Sequence, residues 1–183
     1  MNKPTRIKTE SFPVRKNTRL KEYDYSTAAV YFITVCVQDK KCLFGEVTDG
    51  TITVSALGTM TEQCWKDIIK HSPDIEIDEW VVMPNHFHGI VHIPDITGRA
   101  RHASPLQHPA PRRTVVGTVI GSFKSAVTRR LKQDGLISAS VWQRGYYEHV
   151  VRNEEDLARI REYIAWNPAR WTDDPEYHEG DIQ

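Results

Sequence analysis

Several short stretches of this chain alternate apolar and polar positions with the period of two that marks a strand. "VYFITVCVQ" (residues 30–38) is rich in β-branched and aromatic residues and predicts a central strand. In "CLFGEVTDGTITVS", Asp49-Gly50 stands between two such runs and predicts a hairpin. "IEIDEWVVM" and "HFHGIVHI" predict two further strands flanking a turn at Pro84-Asn85. Elsewhere the period becomes helical. "ALGTMTEQCWKDIIKH" puts Leu57, Met60, Cys64 and Ile68 on one stripe and predicts a helix reaching His71. Residues 115–133 do the same with Val119, Phe123, Val127 and Leu131. "VWQRGYYEHVVR" predicts the last strand. Asn153 is an N-cap for "EEDLARIREYIAW", which has acids in its first turn and Pro168 just past its end.

The order is strand, hairpin, helix, strand, strand, helix, strand, helix. It predicts an α+β fold with a ferredoxin-like or RRM-like βαββαβ core, whose antiparallel sheet carries two helices on one face. The hairpin is an insertion and the C-terminal helix an addition. A chain of 183 residues suits a single domain. Its expected parts are a basic arm over residues 1–25, one domain over 26–171 and an acidic tail over 172–183. Residues 94–113, with four prolines, are expected to form a mobile basic loop inside the domain.

The net charge is zero, but the average hides three zones. Residues 1–25 hold seven Lys/Arg against three acids, residues 96–133 hold eight and no acid, and residues 173–183 hold five acids and no Lys or Arg. Local clusters, not the sum, set the field felt by a polyanion. The three cysteines include no C-x-x-C pair, which excludes a cysteine-based zinc site of that spacing. No apolar run is long enough to span a bilayer, and the start of the chain has no signal-peptide pattern, so the expected location is the cytoplasm.

The chemistry gathers around "VVMPNHFHGIVHI". On a strand, His86 and His88 project from one face with Ile90 and His92, while Phe87, Gly89, Val91 and Ile93 project from the other. Two imidazoles that close can converge on one divalent ion. His92 lies roughly 13 Å further along from His88 at about 3.3 Å per residue, too far to share it. An H-x-H strand alone is read equally well as polar residues on an edge face. Partners come from the last helix, where Tyr163 and Asn167, four apart, lie over one stripe beside the apolar face of Leu157, Ile160 and Ile164. An amide oxygen suits a hard ion such as Mg²⁺, and a phenol is a possible nucleophile. Tyr146 and Tyr147 are alternative nucleophiles, although they point to opposite sheet faces.

"MPNHFHGIV" resembles the His-hydrophobic-His motif of the HUH endonucleases, and "YIAWNPARW" resembles the Tyr-x-x-x-Asn helix of single-tyrosine transposases. "RLKEYDYSTAAVYFITVCVQ", "GSFKSAVTRRL" and "WQRGYYEHVVRNEEDL" fit the same pattern in the same order, over residues 19–171. Together they resemble the REP-associated tyrosine transposases, relatives of the insertion-sequence transposases. The resemblance implies a metal-dependent enzyme that cleaves and rejoins single-stranded DNA near hairpin elements (REP-like palindromes) through a 5′-phosphotyrosine. It implies Tyr163 as nucleophile, with His86, His88 and Asn167 holding Mg²⁺ or Mn²⁺, and Asn rather than Gln at 167 favours the REP-associated branch. DNA contacts are expected at Arg15, Lys16, Arg19 and Lys21 of the arm, at Arg112 and Arg113 of the loop, and at Lys124, Arg129 and Arg130 of the second long helix. His149 is a candidate support for the site. Relatives act as monomers or as homodimers, and both remain open here. Rival readings are a catalytically idle regulator that binds DNA hairpins and an RRM-like RNA-binding module. The second requires exposed aromatics on the middle strands.

Overall fold

The structure, a computed structural model, describes residues 29–94 and 115–177. The basic arm, with Arg15, Lys16, Arg19 and Lys21, and nearly all of the Pro-rich loop, with Arg112 and Arg113, lie outside the described residues. Four antiparallel strands form the main sheet in the order β4-β5-β1-β6. They are β1 (Ala29–Cys36), β4 (Glu76–Val82), β5 (His86–Ile93) and β6 (Tyr147–Val151). The strands β2 (Gly45–Thr48) and β3 (Thr51–Val54) make a separate hairpin. Its turn residues Asp49 and Gly50 both have positive φ, 51° and 73°, as a tight Asp-Gly hairpin demands. This is the α+β class that the periodicity predicts.

Alternation along β1 and β5 divides the interior into two layers. Tyr31, Ile33 and Val35 of β1 and Phe87, Val91 and Ile93 of β5 face α1 (Ala56–Lys66) and α3 (Val115–Gln133). Phe32 of β1 and Ile90 of β5 face the opposite way, against Leu157, Ile160 and Ile164 of α4 (Glu154–Trp166). The first layer is a full core, with Trp65, Phe87 and Phe123 in mutual ring contact at centroid distances of 4.7 to 5.2 Å. The second is smaller, and it is the layer into which His86 and His88 must point. Asn153 caps α4 as expected, its Oδ1 accepting from Asp156 N at 2.8 Å.

Two elements depart from the sequence expectation. The first helix stops at Lys66, and a short turn, α2 (Ile68–His71), follows. Between them Asp67 takes bonds from Arg130 at 2.7 Å, Lys70 at 2.7 Å and Gln63 at 3.1 Å. The last strand is only five residues long, because residues 141–145 instead cross the end of β1. There Val141 O accepts from Gln38 N and Gln143 N donates to Cys36 O.

Gly58 shows how closely α1 meets the chain before β2. A Cβ there would run into the backbone carbonyl of Phe44, which already accepts from Ser55 N. No flexible side chain can yield. Gly58→Ala is therefore expected to cost about 2–3 kcal/mol and to lower the melting temperature by roughly 5–10 °C, read by thermal denaturation.

Candidate active site

The register of β1 against β5 builds the site. Thr34 pairs with His88 and Cys36 with His86, so both imidazoles leave the sheet on the α4 side near the end of β1. Both are buried, and their ring centroids lie 4.4 Å apart. His86 Nδ1 is 2.8 Å from Asn85 Oδ1, whose amide nitrogen donates to Glu176 O. An amide oxygen only accepts, so Nδ1 carries the proton and Nε2 presents its lone pair. Thr34 Oγ1, 2.9 Å from His88 Nδ1, can hold His88 in the same tautomer. Burial, and then the neighbouring His88, hold His86 well below its ordinary pKa, so it stays neutral. Neutral imidazole is the form that ligates a metal.

The helix α4 brings Tyr163 to the same place. Its Oη lies 3.3 Å from His88 Nε2 and donates to Asp174 Oδ2 at 2.9 Å. Asn167 follows one turn later and is almost fully buried, donating Nδ2–H to the same Asp174 oxygen at 2.7 Å. Asp174 arrives because the chain past α4 turns back through a 3-10 helix over Pro168–Asp173, with Trp171 against His86 at a centroid distance of 5.8 Å. Burial alone would raise the Asp174 carboxyl, but the nearby His88 and His86 rings and the hydrogen bond from Asn167 outweigh it and hold the group below its ordinary value. Tyr163 moves the other way, raised by burial and then by the Asp174 charge, so the phenol is protonated at neutral pH.

His86, His88 and Asp174 each offer one ligand atom, and these atoms lie within 4.8 Å of one another, a set able to hold a metal ion. Two orphaned atoms, one of them outside that set, fit this use. His86 Nε2 and Asn167 Oδ1 are buried without a hydrogen-bond partner, an expense that a bound cation would remove. Asp174 is the residue that sequence reasoning missed. It lies in the stretch assigned to an acidic tail, and no periodicity links it to β5.

The other candidates separate. His92 is held by Asp78 at 3.0 Å, away from the pair. His149 reaches Asp156 Oδ2 at 2.9 Å, so it fastens the start of α4 rather than touching the imidazoles. Lys124 donates to the carbonyls of Gln143 and Gly145, and Arg130 to Asp67 and Cys64 Sγ, so both have internal partners. Arg129 is exposed and lines an open groove of about 900 Å³ with Lys132 and Arg144, two cations that the sequence reading did not single out. Tyr146 packs with the α1–α3 layer and Tyr147 with the α4 layer. The α4 helix covers Phe32, and His86 and His88 are buried, so β1 and β5 offer no open aromatic platform of the RRM kind on that face.

No family model matches the chain. A Haemophilus influenzae protein of uncharacterised function is 38% identical over 169 residues, which span 89% of this chain and 93% of its own length. A second protein from that organism, provisionally named a REP-associated tyrosine transposase, is 22% identical over 80% of this chain and 74% of its own. A solved REP-associated tyrosine transposase bound to a REP hairpin superposes with a TM-score of 0.57 at 21% identity, covering 85% of this chain and 81% of the other. The chain resembles the REP-associated tyrosine transposases and shares their fold. Among the described residues, no helix is long and apolar enough to cross a membrane.

Proposed function

We propose that this protein is a single-tyrosine HUH endonuclease and strand transferase that cuts and rejoins single-stranded DNA beside hairpin elements. The observation that carries the reading is the approach of Tyr163 Oη to within 3.3 Å of His88 Nε2, beside a paired His86, on elements far apart in sequence. The hairpin bound to the solved transposase supports the substrate class.

Tyr163 Oη attacks the scissile phosphorus, the P–O3′ bond breaks, and the upstream strand leaves with a free 3′-hydroxyl while the 5′-phosphate of the downstream strand stays on the tyrosine. The phenol proton is lost and the leaving 3′-oxygen gains one. The phosphotyrosine keeps the bond energy, so an incoming 3′-hydroxyl reverses the step and joins a new strand. His86 and His88 would hold a Mg²⁺ or Mn²⁺ through their Nε2 atoms, with Asn167 Oδ1 as an oxygen donor. The ion would supply charge stabilisation at the phosphate. Arg129, Lys132 and Arg144, with Lys124, line one groove and would offer their charges to the phosphate backbone of the strand.

Incubation with an end-labelled single-stranded hairpin and Mn²⁺ is expected to give a covalent protein–DNA band on a denaturing gel. EDTA should remove it. A protein that binds the hairpin but forms no adduct with either metal would instead be the idle regulator.

A further inference from the structure

Asp174 is absent from the His-x-His and Tyr-x-x-x-Asn pattern, yet its carboxylate sits among all four of those side chains. It is 7% exposed, and its Oδ1 accepts from Glu176 N at 2.7 Å, which leaves Oδ2 turned toward the site. Oδ2 accepts from Tyr163 at 2.9 Å and Asn167 at 2.7 Å and stands 3.9 Å from His88 Nε2. A buried carboxylate needs a positive charge more than it needs neutral donors. No Lys or Arg bonds to it among the described contacts. The lone pair of His86 Nε2, buried and without a partner, is a second and independent sign of a missing cation at this place.

We propose that Asp174 is the anionic ligand of the metal, through Oδ2, and that Asn167 acts on it by donating Nδ2–H to that oxygen. The inference rests on the metal-dependent reading of the same site and deepens it. Two imidazoles, one carboxylate and the Asn167 amide oxygen still leave open positions for phosphate oxygens on an ion such as Mn²⁺. The carboxylate also makes the site attractive to a cation before any DNA arrives, which two neutral nitrogens and an amide would do weakly. Tyr163 Oη and the ion then compete for the same oxygen, so loading the ion releases the phenol from Asp174.

The test is Mn²⁺ binding to the full chain without DNA, followed by the loss of the free-ion electron paramagnetic resonance signal. Asp174→Asn, nearly isosteric and still able to accept a hydrogen bond, is expected to weaken binding at least roughly tenfold, as is His86→Ala. Asp174→Glu should restore part of the affinity, and circular dichroism melts confirm that the variants fold. If the native chain binds Mn²⁺ and His86→Ala loses it, but Asp174→Asn binds like the native protein, the assignment is overturned and the histidine site stands. If Asp174→Ala leaves binding unchanged and raises the adduct yield, the carboxylate is a plug rather than a ligand, which also overturns it. A native chain that binds no Mn²⁺ overturns the Asp174 assignment and removes the metal from the proposed function with it.

Discussion

Tyr163→Phe is expected to eliminate the covalent DNA adduct, by at least about a thousandfold, while the protein keeps its fold. The change removes one oxygen. The ring keeps its edge contact with Phe32, at a centroid distance of 6.0 Å, and its place on α4. What disappears are the bond to Asp174 Oδ2 and the approach to His88, a loss of about 1 kcal/mol that Asn167, still donating to the same oxygen, limits. Hairpin binding should therefore persist, measured by gel shift, while the denaturing gel shows no shifted band. Tyr146→Phe and Tyr147→Phe serve as controls. Tyr146 packs with the opposite layer, and Tyr147 is raised by burial and then by Asp156 at the other end of α4. An adduct that survives Tyr163→Phe but vanishes in either control would move the nucleophile to Tyr146 or Tyr147.

The histidine pair and its partners were legible in the sequence because they obey local periodicity. Period two puts His86 and His88 on one face, and a four-residue step puts Tyr163 and Asn167 on one stripe; neither needs tertiary information. The existence of α3 follows for the same reason, from a stripe of Val119, Phe123, Val127 and Leu131 that is buried in the fold. Asp174 obeys no period. It reaches the site through a turn after Pro168, and in an acid-rich stretch its composition reads as solvated surface. Lys124 and Arg130 show the complementary case, because each also holds partners inside the fold. Their spacing reads as an exposed basic edge, but their partners, Gln143, Gly145 and Asp67, come from segments whose approach no helical wheel contains. Charged residues take their roles from partners distant in the chain, so a sequence locates a strand or helix face better than it locates the use of a charge. The break of the first helix at Asp67 is another instance, since the same Arg130 bonds to it.

The second large effect is expected for the imidazoles. His86→Ala and His88→Ala should each lower cleavage by about a hundredfold or more without preventing the protein from folding. The two variants are predicted to differ in stability, and the difference is what makes the test informative. His88 stacks on Phe32 at a centroid distance of 5.2 Å, faces Thr34 Oγ1, and is the nearer imidazole to Asp174. Its removal leaves a void in the small layer and strips the Thr34 hydroxyl of its ring partner, a cost of about 2–4 kcal/mol. His86 also loses packing against Trp171 and its Nδ1–H bond to Asn85 Oδ1, but it has fewer ring neighbours than His88 and its Nε2 makes no hydrogen bond in the protein, so somewhat less is given up. A residue kept only for stability would show the same ranking in folding and in activity: the variant that melts lowest would be the one that cleaves least. A metal ligand predicts instead that His86→Ala, the milder change to the fold, is as damaging to cleavage as His88→Ala. Melting temperature and adduct yield, measured side by side on the two variants, separate these outcomes. If His86→Ala cleaves like the native protein, the buried pair is packing and the metal reading of this site falls.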